Sequence, residues 1–199
     1  MINICKHSSE SLEEMDLIEL FDQINQVFET LSFLSQQYAF RFITILINQW
    51  NDKKIEEYLT TISKLIAKFI TKWTYNSSKG HGNGQKEMNY LTIIIEKISL
   101  NNQLIQQIAE GNKELMVAIS EFIAHHYKDS AFSFFIETFL IFINKISKFP
   151  LSVQNLIDAN IPKVGLDYIS YGHQLQIDNL SIDDLIQRLS SIQNVMKVI

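Results

Sequence analysis

The sequence predicts an all-α fold built as a short stack of helical repeats, and three observations carry that expectation. First, one apolar pattern returns at equal spacing: Ile43-Thr44-Ile45-Leu46-Ile47-Asn48, then Leu91-Thr92-Ile93-Ile94-Ile95-Glu96, then Phe139-Leu140-Ile141-Phe142-Ile143-Asn144, each 48 residues after the last. A fixed period of this length marks supersecondary units that bury their apolar faces only against one another. Second, the agreement extends beyond the apolar run, since Lys97-Ile98-Ser99 returns as Lys145-Ile146-Ser147, Gln106 as Gln154 and Asn112 as Asn160. Third, the chain of 199 residues holds only six Gly and two Pro, and hairpin turn dipeptides are nearly absent. The run Ile93-Ile94-Ile95 could be read as a buried strand, but polar residues continue at helical spacing on both sides of it.

In chain order, the first expected element is a capping helix from about 11 to 35. Ser11 with Glu14 three residues on has capping-box spacing, and Leu17, Leu20, Phe21, Ile24, Val27, Phe28 and Leu31 form one apolar face. Helices of about 38–50 and 53–75 follow, then a flexible loop, 76–85, rich in Gly, Ser and Asn. The second unit reads as helices 86–99, 101–110 and 113–127, with Gly111-Asn112 as a stop that favours left-handed backbone. The third reads as 130–147, 152–159 and 162–171, with Asn160 as the equivalent stop and Pro162 in the first turn of the next helix, where no backbone donor is needed. A final helix, 181–198, carries Ile182, Leu185, Ile186, Leu189, Ile192, Val195 and Met196 on one face. The expected organisation is one domain, 1–199: a cap (1–35), repeat one (38–90), repeat two (91–138), and repeat three with the C-terminal helix (139–199). Stacked repeats need polar ends. Either the last helix folds back as the final layer, or the chain is the front part of a longer solenoid.

The stretch Leu156-Ile157-Asp158-Ala159-Asn160-Ile161-Pro162-Lys163-Val164 resembles the junction between the first two helices of an armadillo repeat, and residues 137–147 are similar to its third helix. The resemblance covers roughly 38–171 and implies an armadillo-like or HEAT-like right-handed α-solenoid of about three repeats. In that family the Asn of the third helix lines a concave groove and holds an extended peptide, a role that would carry over to Asn48 and Asn144. Glu96 stands at the same position in the second unit, and Thr44, Thr92 and Leu140 replace the tryptophan usual four residues earlier. Asn48, Glu96 and Asn144 are therefore the expected partner-binding residues, with Glu96 favouring a basic or amide-rich ligand.

Composition narrows the class of partner. A net charge of −5 disfavours indiscriminate binding to phosphate backbones, so no nucleic acid is expected. Residues 1–34 hold seven acids against Lys6, whereas 35–90 hold eight bases against four acids, which reads either as solvated helix faces or as complementary contact patches. One cysteine, Cys5, excludes an internal disulfide and fits a reducing, cytoplasmic compartment. The acidic start is unlike a secretory signal, and the longest apolar stretch, 131–143, is interrupted by Glu137 and too short for a membrane span.

Sites for chemistry are weak. His125-His126 are neighbours that point about 100° apart on a helix and lack a further ligand at metal-site spacing, so one buried and one exposed histidine is expected. Gly80-His81-Gly82-Asn83-Gly84 lacks the strand and the Lys-Ser/Thr of a phosphate loop, Cys5 with His7 lacks a third partner, and Asp183-Asp184 reads as the acidic first turn of a helix capped by Ser181. The Phe132, Phe134, Phe135, Phe139 and Phe142 cluster reads as core, and Trp50, Trp73 and Tyr75 as core or end packing, with surface anchors of a binding hot spot as the alternative. The expected function is a non-enzymatic protein–protein interaction scaffold without a cofactor. The alternative is a structural subunit of a larger assembly, docked or self-associated through the apolar C-terminal helix.

Overall fold

A computed structural model describes residues 17–77 and 85–175, and the described residues are helical throughout apart from short connections. The helices are α1 (Leu17–Val27), α2 (Phe33–Gln49), α3 (Asp52–Ser77), α4 (Gln85–Ser99), α5 (Asn102–Gly111), α6 (Lys113–His126), α7 (Ser133–Ile146), α8 (Ser152–Asp158) and α9 (Ile161–Leu175), with a 3₁₀ turn at Ser130–Phe132. All three apolar runs that share the 48-residue period are helical, in α2, α4 and α7.

The elements pack in two series. Helix α2 lies against α4, and α4 against α7; α1 lies against α3, α3 against α6, and α6 against α9. Short α5 contacts α3, α4, α7 and α8 and so sits where the two series meet. Long-range side-chain hydrogen bonds link residues 41 to 51 apart, a spread around one period. Among them are Thr44 Oγ1 to the Tyr90 carbonyl (3.5 Å), Lys68 Nζ to that of Asn25 (2.9 Å), Gln103 Nε2 to Glu56 Oε1 (2.8 Å) and Lys113 Nζ to Asp158 Oδ2 (2.7 Å). One intrahelical hydrogen bond recurs at positions 48 residues apart. Gln106 donates to Glu110 (2.9 Å), and its counterpart Gln154 donates to Asp158 (2.7 Å), each one helical turn on.

Several expectations need correction. The cap does not run unbroken from 11 to 35: α1 ends at Val27, and α2 begins at Phe33 rather than 38. Ser32 supplies the reason, since its Oγ accepts from the Ser35 amide at 3.2 Å and caps α2. Gln36 then reaches back with Nε2 to the carbonyl of Phe28 at 2.5 Å, which fixes the turn between the helices. The left-handed stop expected at Gly111-Asn112 is absent there, because Asn112 has φ −128° and ψ 63° and its amide still donates to the Ile108 carbonyl. Asn160 does adopt it, with φ 64°. The first unit has Ser63-Lys64 where the second has Gly111-Asn112; Ser63 is buried and its hydroxyl donates to the Leu59 carbonyl at 2.7 Å, so α3 runs on as one 26-residue helix. Residues before Leu17, most of the expected 76–85 loop and the expected 181–198 helix lie outside the described residues.

The opposite charge blocks of residues 1–34 and 35–90 meet inside the fold. Lys68 and Lys72 of α3 donate to the carbonyls of Asn25 and Glu29, and Lys68 also lies 3.6 Å from the Glu29 carboxylate. Cations at the C-terminal end of α1 satisfy carbonyls that the helix leaves unpaired and complement its dipole. These lysines serve the α1–α3 contact.

The core runs through both series. Trp73 of α3, Phe122 and His126 of α6, Phe132 of the 3₁₀ turn and Phe139 of α7 form one aromatic cluster, with Phe122 5.7 Å from Trp73 and 5.1 Å from Phe139. His126 is 7% exposed while His125 is exposed, as the neighbouring pair was expected to divide. Burial, reinforced by His125 and opposed by Asp129, holds the His126 imidazole below its usual pKa. The unfolded chain therefore binds that proton more readily, and stability falls as pH drops below about 6.5 toward the lowered native value. The thermal midpoint should thus fall between pH 7.5 and 5.5, and His126→Phe should lose less across that interval than the native chain; an equal loss would assign the acid sensitivity to other groups.

Candidate interaction cleft

The C-terminal end of α2 and the facing sides of α4 and α7 enclose an open cleft of about 460 Å³. Asn48 enters from α2, Ile93 and Glu96 from α4, and Thr138, Ile141 and Lys145 from α7, with Leu100 just beyond α4 at one side. Ile93 and Ile141 stand one period apart, and Glu96 follows Ile93 by three residues, which places the two on one side of the helix. Ile93, Ile141 and Leu100 are 37%, 40% and 81% exposed, so the cleft offers apolar side chains to an outside molecule.

Its polar groups are arranged by the helix ends. Lys145 Nζ donates to the carbonyl of Ser99, the last residue of α4, at 2.8 Å, an interaction that satisfies an open carbonyl and fixes the ammonium in the cleft wall. Lys97 lies in the last turn of α4, where a cation is favoured, and also lines the cleft. The cleft is thus lined by Asn48, Glu96, Lys97 and Lys145 together with the apolar Ile93, Ile141 and Leu100.

Two of the three expected residues, Asn48 and Glu96, come together in this cleft. Asn144 is half-buried on α7, and the cleft lining at this level is its neighbour Lys145. The backbone carbonyl of Asn144 accepts from Ser147 Oγ at 2.9 Å. The positions where the armadillo family carries its groove tryptophan are internal here, with Thr44 and Thr92 each 4% exposed and Leu140 2%. The expected preference for a basic or amide-rich ligand rested on Glu96, and Lys97 and Lys145 also line the cleft. Sequence reasoning missed Ile93, Leu100, Ile141 and the two lysines; the signal for Ile93 and Ile141 was their shared repeat position.

Other expected features divide more simply. Phe135, Phe139 and Phe142 are core, Phe132 is partly buried against it, and Phe134 is 50% exposed. Trp73 is buried, Trp50 packs 5.1 Å from Tyr58, and Tyr75 is half exposed with its ring 5.5 Å from that of His125. Among the described residues no group of three or more His, Cys, Asp or Glu side chains is placed to hold a metal ion, and no helix is long and apolar enough to cross a membrane. Cys5, His7, the 80–84 glycine loop and Asp183-Asp184 lie outside the described residues. No family model, curated protein or solved structure matches this chain.

Proposed function

We propose that the chain is a non-enzymatic interaction module of the stacked helical-repeat type, which receives a segment of a protein partner in the cleft between α2, α4 and α7. The observation that carries this reading is the cleft itself: exposed Ile93, Ile141 and Leu100 surrounded by Asn48, Glu96, Lys97 and Lys145, on helices whose apolar runs recur with one period. An apolar centre with a polar rim is the anatomy of a protein-binding patch. Its volume lies within the roughly 300–1,000 Å³ range of ligand sites, enough to seat one or two anchoring side chains. Hydrogen bonds between residues 45 and 46 apart on different helices, close to one period, support the repeat reading, as does the equivalent placement of Gln106 and Gln154.

The fitting partner is an amphipathic segment with apolar anchors flanked by amides or by charges of both signs. Burial of the helix-facing threonines in place of an aromatic ladder favours such anchors over a fully extended peptide held only along its backbone. Selection from a random peptide display library on the immobilised full chain tests this. Selected peptides should share an apolar anchor and should bind the Ile93→Asp/Ile141→Asp variant at least about tenfold more weakly, because desolvated apolar anchors carry most of the energy of such patches. The thermal midpoint should move little, since both side chains are exposed. Binding unaffected by the double substitution would remove the cleft as the interface.

A further inference from the structure

The third unit carries exposed apolar side chains at positions that the second unit buries. Ile105 and Ala109 of α5 are 0% and 2% exposed; their counterparts one period later, Val153 and Ile157 of α8, are 46% and 54% exposed. The difference follows from what lies outside each helix. Helix α5 has α7 and α8 packed on it, and Asn155 of α8 donates to the Ala109 carbonyl at 3.0 Å. Among the described residues nothing takes the corresponding place beside α8. Past Asn160 the third unit gains one residue, Ile161, so the offset there becomes 49, and Leu166 of α9 repeats the contrast: it is 50% exposed where its counterpart Val117 of α6 is partly buried against the core.

We infer that this α8–α9 face is a docking surface whose occupant is the chain's own segment 181–199. That segment places Ile182, Leu185, Ile186, Leu189 and Ile192 at helical spacing, so it has an apolar side of its own to bury. Only residues 176–180 separate it in sequence from the end of α9 at Leu175, and such tethering gives it an effective concentration of the order of millimolar, an advantage over any free competitor. A helix over 181–198 would be about 27 Å long, enough to run the length of the 15-residue α9, about 22 Å. Once docked, it turns its polar residues Asp183, Asp184, Gln187 and Arg188 toward water, which supplies the polar end that a stack of apolar layers requires. The inference rests on the repeat reading of the units but not on the cleft being a binding site.

Thiol accessibility in the full chain tests it. In a Cys5→Ser background, the thiol of an Ile157→Cys variant should react with a maleimide at least about tenfold more slowly than that of an exposed control, Thr60→Cys, because modification must wait for the docked segment to open. Adding Leu185→Asp and Leu189→Asp should raise the Ile157→Cys rate to that of the control, with an Ala109→Cys variant still protected as proof that the stack remains folded. Light scattering on the same samples should show protection in the monomer, independent of concentration. Reaction of Ile157→Cys at the control rate in the otherwise native chain would show the face to be open and overturn the inference, whatever the charged variants do. Protection that disappears on dilution would assign the face to a second copy and overturn it equally. Neither result depends on whether any peptide binds the cleft, so failure here and failure of the proposed function are separately visible.

Discussion

Phe122→Ala is expected to cost about 3 to 5 kcal/mol of unfolding free energy, the range for removing a fully buried aromatic side chain and leaving a cavity. Phe122 is 0% exposed and stands where the two helix series join: its ring is 5.7 Å from Trp73 of α3, 4.8 Å from His126, and 5.1 Å from Phe139 of α7 in an edge-to-face arrangement at 87°. Alanine removes those edge contacts along with the buried area, and the helices on either side cannot close the gap without moving Trp73 and Phe139 together. Because domains are stable by only about 5–15 kcal/mol in total, such a loss is large enough to lower expression as well as the denaturation midpoint. Urea titrations should show Phe122→Leu losing visibly less, and Phe134→Ala, at a half-exposed ring of the same helix cluster, losing less than about 1 kcal/mol. Equal losses for Phe122→Ala and Phe134→Ala would contradict the packing described.

Ile143→Ala should cost about 2 to 5 kcal/mol, while Asn144→Ala beside it should cost far less. Ile143 is 0% exposed in α7, on the side that faces the core, as is Ile95 of α4 at 1% one period earlier. Asn144 is half-buried, and among the described residues no side-chain hydrogen bond ties it to a neighbouring helix, whereas Lys145 reaches across to Ser99. Adjacent residues on a helix differ by about 100° in direction, so the pair reports which side of α7 is inside. Chemical denaturation of the two variants measures it, and similar small losses from both would mean that the apolar side of α7 has been misassigned.

The helices were legible because apolar residues recur at helical spacing and breakers are scarce, and the period was legible because three apolar runs keep one register. Asn160 adopted the left-handed stop expected of it, since an Asn bears that conformation at low cost. The break after Val27 was not legible. It depends on Gln36 reaching back eight residues to the Phe28 carbonyl, a tertiary bond with no local pattern. Gly111-Asn112 ended α5 without left-handed backbone because the next helix starts at once at Lys113, so its stop resembled that of Asn160 in sequence only.

The cleft was half legible for a related reason. Repeat position alone brought Asn48 and Glu96 to it, but it also selected Asn144, and the side chain that lines the cleft there is Lys145, held by the carbonyl of Ser99 at the end of a different helix. Equivalent positions share a helix face; which neighbour reaches a cleft depends on how adjacent helices end. The exposed ends of Ile93 and Ile141 were hidden in apolar runs whose other members, Ile95 and Ile143, are core.

The most direct measurement of the cleft's role is an amide chemical-shift map of the full chain titrated with a display-selected peptide. Binding in the cleft predicts that the largest shifts cluster at the end of α2 around Asn48, along α4 from Ile93 to Leu100, and on α7 from Thr138 to Lys145, and that they vanish in the Ile93→Asp/Ile141→Asp variant. Shifts concentrated instead on α8 and α9 around Val153, Ile157 and Leu166, with the cleft unperturbed, would contradict it and make the α8–α9 face the interface.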